Sequence, residues 1–280
     1  MMKRVVALAA IGCWLLSVSA QVRDAFQGIL PVTDKAMMRS LNGEWNLKVI
    51  DGITDEITVP ATDETWGKIS VPGCWEAYGF CKPKYDSPNA LTGYYRTTFT
   101  VPSEWKGQCI VLRFDGVLYG YDLWINGKAV GSWRSGYNTA LFDITDYLKQ
   151  ETGGRSQELA MRVISQFPGS DFDYNDDWAP NGIFRDVTLM AVPKTHLSDL
   201  TITTKNTGEV NINTKIANGN KQTAVTYEIL DAQGKIVGST KVENPHLWTA
   251  ETPYLYTLRT RLIQKAKLSR LLSISSASVN

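Results

Sequence analysis

Two adjacent carboxylates and an indole, Asp176, Asp177 and Trp178, stand just ahead of Pro180-Asn181-Gly182 in the stretch "NDDWAPNGIFRDVTL", residues 175–189. A purely structural loop needs Gly, Pro and Asn for its turn, not two acids beside a tryptophan. Together these residues have the chemistry of a sugar contact. A carboxylate accepts paired hydrogen bonds from vicinal hydroxyls, and an indole stacks on the apolar face of a pyranose. The plainer alternative stays open, with Asp176 capping the turn and Trp178 packed beneath it. Acid–base work by the two carboxylates would need an enclosed site that drives their pKa values apart.

Other reactive constellations are missing from the sequence. The two histidines, His196 and His246, lie near no Cys, Ser or Asp in a triad or metal-ligand pattern and read as surface or hydrogen-bonded residues. There is no glycine-rich phosphate loop. No catalytic residue, metal set or cofactor is expected.

The elements that must position the loop are strands. Runs at 44–50, 93–101, 108–117, 121–125, 158–165 and 183–192 are β-rich and separated by turn signals. Asn126-Gly127 between two such runs is the strongest short-range hairpin signal. In "QELAMRVIS", Leu159, Met161 and Val163 fall on one face and Ala160, Arg162 and Ile164 on the other, a period of two with one face covered more fully. Trp45 shares a strand face with Leu47 and Val49 and reads as core; Trp124, also inside a strand pattern, reads as core rather than as a sugar platform. "DITDYLKQ" (143–150) can make one helical turn capped by Asp143 or Thr145. Arg185-Asp186 suggests a partly buried ion pair or a domain contact.

From about Thr195 the chain becomes rich in Thr and Asn, and a hairpin is expected around Asp231-Ala232-Gln233-Gly234. The 280 residues therefore divide into a leader, 1–20; a β-sandwich or barrel, 21–193; a small immunoglobulin-like β-sandwich, 194–263; and a tail, 264–280. The fold class is all-β.

The leader reads as a secretory signal peptide: "MMKR", then an apolar run, then "SVSA" with a cut after Ala20. A lipoprotein-type cut before Cys13 would leave a shorter apolar run. The protein is thus expected to be secreted or periplasmic, without a membrane span. Loss of Lys3 and Arg4 from the 29 basic residues leaves 27 against 28 acids, a net −1, with no basic stripe for nucleic acid. Three cysteines follow the leader, Cys74, Cys81 and Cys109, an odd number that implies no disulfide framework; one bridge or three small buried thiols would satisfy it.

Seven ordered motifs carry a resemblance: "LNGEWNL", "VPGCWEAYG", "YYRTTFTVP", "LRFDGVLYGYDLWINGKAVG", "FDITDYL", "NGIFRDVTL" and "NPHLWTAETPYLYTL". Over residues 38–262 the chain resembles the N-terminal region of glycoside hydrolase family 2, which includes β-galactosidases, β-glucuronidases and β-mannosidases. The resemblance implies that 21–193 is a jelly-roll β-sandwich that binds sugar, and that β-glycosides are hydrolysed with retention by a Glu pair in a (β/α)8 barrel after the immunoglobulin-like domain. Such a barrel takes about 250 residues. Only 17 follow Ile263, and no Asn-Glu dipeptide occurs. The expectation is a non-catalytic accessory region, from a truncated or frameshifted gene, with no independent activity. A free-standing secreted carbohydrate-binding or structural sandwich is the alternative. The resemblance also implies that Asp176, two residues before Trp178, helps hold sugar hydroxyls, and with a complete barrel a monovalent cation; counting back five from Gly182 selects Asp177 instead. The second polar loop, 79–93, lacks the Asn of the β-galactosidase pattern, leaving Ser87 or Asn89 as substitutes. Weak carbohydrate binding and self-association through a surface left by the barrel are the partners expected.

Overall fold

The computed structural model describes residues 35–54, 59–85, 89–149, 154–173, 176–264 and 267–277. The expected leader and Ser87 lie outside the described residues.

Ten strands build the first unit: β1 (Met38–Ser40), β2 (Gly43–Asp51), β3 (Gly67–Val71), β4 (Leu91–Thr100), β5 (Cys109–Phe114), β6 (Gly120–Ile125), β7 (Lys128–Arg134), β8 (Ala140–Asp143), β9 (Ser156–Ile164) and β10 (Val187–Val192). They form two sheets, β1-β10-β5-β8 and β3-β2-β4-β9-β6-β7. All the pairings are antiparallel, as in a jelly-roll sandwich.

Period-two patterning places the core between the sheets. Leu47, Leu112, Leu123, Leu159, Met161, Val163 and Leu189 point inward and are buried with Trp45, Trp75 and Trp105. Full burial of a large apolar side chain contributes roughly 1.5–3 kcal/mol, so these positions hold the sheets together. The opposite face of β9 is buried too. Ala160, Arg162 and Ile164 are only 6, 7 and 6% exposed, and Arg162 is satisfied there by Asp122 (2.7 Å) and the Thr54 carbonyl (2.7 Å). Trp124 is half-buried on that outer side, against the small cluster of Tyr94 and Ala160.

Local signals act as their chemistry requires. Asn126 (φ 52°) and Gly127 (φ 76°) both take positive φ in the β6–β7 turn. Asp143 accepts from the Thr145 backbone N–H (3.0 Å) and starts the turn Thr145–Tyr147. The last strand of the unit differs from expectation: it starts at Val187, not Ile183. Ile183 is spent on loop contacts, its carbonyl accepting from Gly73 N–H at 2.7 Å.

The second unit contains β11 (His196–Thr204), β12 (Val210–Ala217), β13 (Thr223–Leu230), β14 (Ile236–Gly238), β15 (Leu255–Gln264) and β16 (Lys267–Ala277). Strands β11-β12 make one sheet and β14-β13-β15-β16 the other. Val210, Ile229, Val242, Tyr256 and Leu258 fill the space between them. Asp231 organises the β13–β14 hairpin, its carboxylate accepting from the backbone of Gln233 and Lys235 at 3.0 and 2.9 Å. The stretch expected as a tail instead carries β16, paired antiparallel along β15 from Leu255↔Ala277 to Gln264↔Lys267. Without β16, β15 would be the open edge of this sheet, and its row of unpaired backbone donors and acceptors templates pairing whatever the side-chain alternation.

Candidate functional site

Three loops meet at one end of the first sandwich: the stretch after β3, the β7–β8 connection and the stretch between β9 and β10. Trp75 is the hinge pin. Its indole N–H donates to Tyr95 Oη at 2.6 Å, and its backbone N–H donates to the Asn181 carbonyl at 2.9 Å. Gly93 and Gly182 make room for the ring, since a Cβ on either would lie 2.2 and 2.9 Å from indole atoms. Gly182 also sits at φ +113°, a conformation that disfavours a side chain. Burial pushes the Tyr95 hydroxyl well above the usual phenol range.

Glu76 then ties the loops together. Its carboxylate accepts from Asn181 backbone N–H (3.0 Å), from Asn181 Nδ2 (2.8 Å) and from Cys81 Sγ (3.3 Å). Burial, with Glu76 as neighbour and acceptor, pushes the Cys81 thiol up to about 12. Cys74, Cys81 and Cys109 are all free thiols, half-buried rather than fully buried: Cys74 and Cys81 lie in the stretch after β3, and Cys109 is the first residue of β5.

The two carboxylates of the acidic loop part company. Asp177 faces inward: Oδ2 accepts from Tyr137 Oη (2.6 Å) and Oδ1 from Trp178 backbone N–H (2.7 Å). Burial raises the Tyr137 hydroxyl, and its hydrogen bond to Asp177 raises it further by favouring the protonated form. Asp173 adds a second tie between the same loops, accepting from Gly136 N–H at 2.8 Å. Asp176 faces the other way, on a left-handed backbone (φ 58°), and Tyr85 donates its hydroxyl to Oδ1. Tyr85 also meets Trp178 edge-to-face, with centroids 5.4 Å apart at 70°. Trp178 is 64% exposed, which overturns the alternative that it packs beneath the turn.

Asp176, Tyr85 and Trp178 therefore form one exposed cluster of a carboxylate, a phenol and an indole. Asp177 holds the loop in place. Asn89 stays out of the cluster: its amide donates to the Lys82 carbonyl (3.3 Å) and its carbonyl accepts from Ser165 Oγ (2.6 Å). Arg185 and Asp186 do not pair. Both are exposed, Arg185 donating to the Tyr137 carbonyl (3.1 Å) and Asp186 accepting from Asn42 (2.8 Å). His196 is hydrogen-bonded to the Pro193 carbonyl (2.7 Å), and His246 stacks on Tyr254 at 4.8 Å. Tyr85, Tyr137 and Glu76 were not singled out from sequence. A Tyr within the second polar loop was the one available signal, for Tyr85.

Comparison with known proteins places this end of the sandwich in context. Residues 38–193 match the sugar binding domain of glycosyl hydrolases family 2, and residues 195–272 match a second model of that family. The chain belongs to glycosyl hydrolase family 2. Among curated family 2 relatives, the beta-galactosidase of Clostridium acetobutylicum is 32% identical over 276 residues, covering 84% of this chain and 30% of that protein. The beta-galactosidase of Psychromonas ingrahamii is 29% identical over 269 residues, covering 80% and 26%. The beta-glucuronidase structure of Bacteroides uniformis superposes with a TM-score of 0.68 at 27% identity, covering 86% of this chain and 32% of that one. This family 2 chain thus spans about a quarter to a third of the length of these relatives.

Proposed function

We propose that this chain is the non-catalytic, carbohydrate-contacting region of a family 2 glycosidase acting on β-linked glycosides. One observation carries the reading: the Asp176–Tyr85–Trp178 cluster presents an acceptor and an exposed indole side by side, at the end of a sandwich matched to a sugar-binding domain. Trp178 stacks on the apolar face of a pyranose, and Asp176 accepts from its hydroxyls. The named relatives, beta-galactosidases and a beta-glucuronidase, support the β-glycoside class. Hydrolysis itself falls to a Glu pair elsewhere in the enzyme. Residues 1–20 direct export, so the enzyme works outside the cytoplasm.

The test is an NMR titration of the chain with methyl β-galactoside and methyl β-glucuronide. A few exposed hydrogen bonds and one stacking contact give a dissociation constant of roughly 1 mM or weaker. Saturable shifts at residues 176–178 that disappear in Trp178→Ala support the reading. A flat titration, or one untouched by Trp178→Ala, overturns it.

A further inference from the structure

A second feature at the same end of the sandwich is absorbed by neither the fold nor the Trp178 cluster. A shallow groove of about 520 Å³ opens where β5 ends and β8 and β10 begin, and none of its lining residues belongs to that cluster. Its volume falls within the range of small-molecule sites, roughly 300–1,000 Å³.

The lining is a set of planar hydrogen-bonding groups with capacity to spare. Arg113 donates Nε to Asp115 Oδ1 at 2.6 Å, and its two Nη groups have no hydrogen-bond partner among the described residues. Asp115 Oδ1 also accepts from Thr139 Oγ1 (3.2 Å), and its Oδ2 keeps no protein donor among the described residues. Asp186 likewise uses Oδ1 for Asn42 Nδ2, and its Oδ2 has no donor among the described residues. The backbone fixes the spacing of these two acids, Asp115 N–H donating to the Asp186 carbonyl at 3.0 Å. Arg185 lies 4.8 Å over the Phe184 ring, its exposed outer face turned from the ring. Phe184 in turn packs edge-to-face on Tyr137 at 5.6 Å.

We propose that this groove is a second carbohydrate-contacting site, selective for a neutral pyranoside. Two guanidinium groups and two carboxylates cancel in charge, so neither a phosphate nor a metal cation gains net attraction there. A polyol gains from both signs at once. Its vicinal hydroxyls donate to the spare carboxylate oxygens and accept from the guanidinium forks, while Phe184 and the Arg185 plane supply the apolar wall. The site stands independently of the function proposed for Trp178.

The probe is lactose, titrated into the whole chain while backbone amides and arginine Nε signals are followed by NMR, with sodium glucuronate as the charged comparison. The expected result is saturable movement of Arg113 Nε, Arg185 Nε and the Thr139 amide. That movement persists in Trp178→Ala and is lost in Phe184→Leu. Arg113→Lys, which keeps the charge and removes the fork, is expected to weaken it at least several-fold, and it stands in if Phe184→Leu does not fold. Silence of the groove signals, their dependence on Trp178, or a stronger response to glucuronate than to lactose each overturns the proposal. A response lost at residues 176–178 but kept in the groove overturns only the Trp178 reading.

Discussion

Glu76 grips Asn181 at two points, accepting from its backbone N–H at 3.0 Å and its side-chain amide at 2.8 Å. The two residues are 105 positions apart in the chain, and Asn181 is 1% exposed. With the Trp75 N–H bond to the Asn181 carbonyl and the Gly73 N–H bond to the Ile183 carbonyl, this contact fixes the loop bearing Asp176 and Trp178 against the loop bearing Tyr85.

Glu76→Ala strands a buried backbone donor and leaves the Asn181 side-chain amide only its 3.3 Å bond to the Ala179 carbonyl. Each unsatisfied group costs about 1–3 kcal/mol. Urea unfolding should therefore show a lower midpoint at unchanged slope, with a loss of at least about 1 kcal/mol. Glu76→Gln retains an acceptor and is expected to lose less.

Asp176 and Asp177 should separate cleanly under isosteric substitution. Asp177→Asn weakens the hydrogen bond from Tyr137 (2.6 Å) and lowers stability by about 1–2 kcal/mol. Asp176→Asn, on an exposed position, should leave thermal unfolding almost unchanged and reduce sugar-induced shifts at Trp178. Equal destabilisation by both variants would contradict the inward and outward assignment of the two carboxylates.

Gly182→Ala adds a Cβ 2.9 Å from the Gly73 carbonyl oxygen and from the Trp75 ring, at φ +113°. Left-handed strain costs about 1–2 kcal/mol and overpacking about 1–3. A loss of roughly 2–4 kcal/mol in denaturant unfolding is expected. Gly127→Ala, with no atom within 4 Å of its added Cβ, carries only the strain of φ +76° and should lose less.

The Cys81 thiol, pushed up to about 12 by burial and by Glu76, should react with iodoacetamide at pH 8 much more slowly than a free cysteine. Linkage has a definite sign here. The folded state holds the thiol proton more tightly than the unfolded state, whose thiol titrates near 9. The resulting stabilisation is complete below that value and disappears as pH rises through about 12. Cys81→Ala should flatten the alkaline decline in melting temperature.

Much of the framework is legible in the residues because its causes are local. Alternation in Leu159–Val163 places a strand face in the core, and Asn126-Gly127 and Asp231 make their hairpins with side chains and φ values available within a few positions. The site is less legible because its geometry is set at long range. Asp177 is held by a tyrosine 40 residues upstream and Asp176 by one 91 residues upstream, so adjacent identical side chains acquire opposite roles. The same cause moved the start of β10. Ile183 looks like strand by composition, but its backbone answers to Gly73 and Tyr95. In β16, pairing with a neighbouring strand outweighs the lack of a side-chain pattern.

The fit of Trp75 between Gly93 and Gly182 bears on how this sandwich can change over evolutionary time. Neither glycine can gain a side chain while the indole remains, and a smaller residue at position 75 would leave a void beside Tyr95. Positions 75 and 93, 18 apart, are therefore coupled and should be replaced together or kept together across related sequences, whereas Gly182, 107 positions from Trp75, is held also by the Gly73 carbonyl and its φ of +113° and should stay glycine.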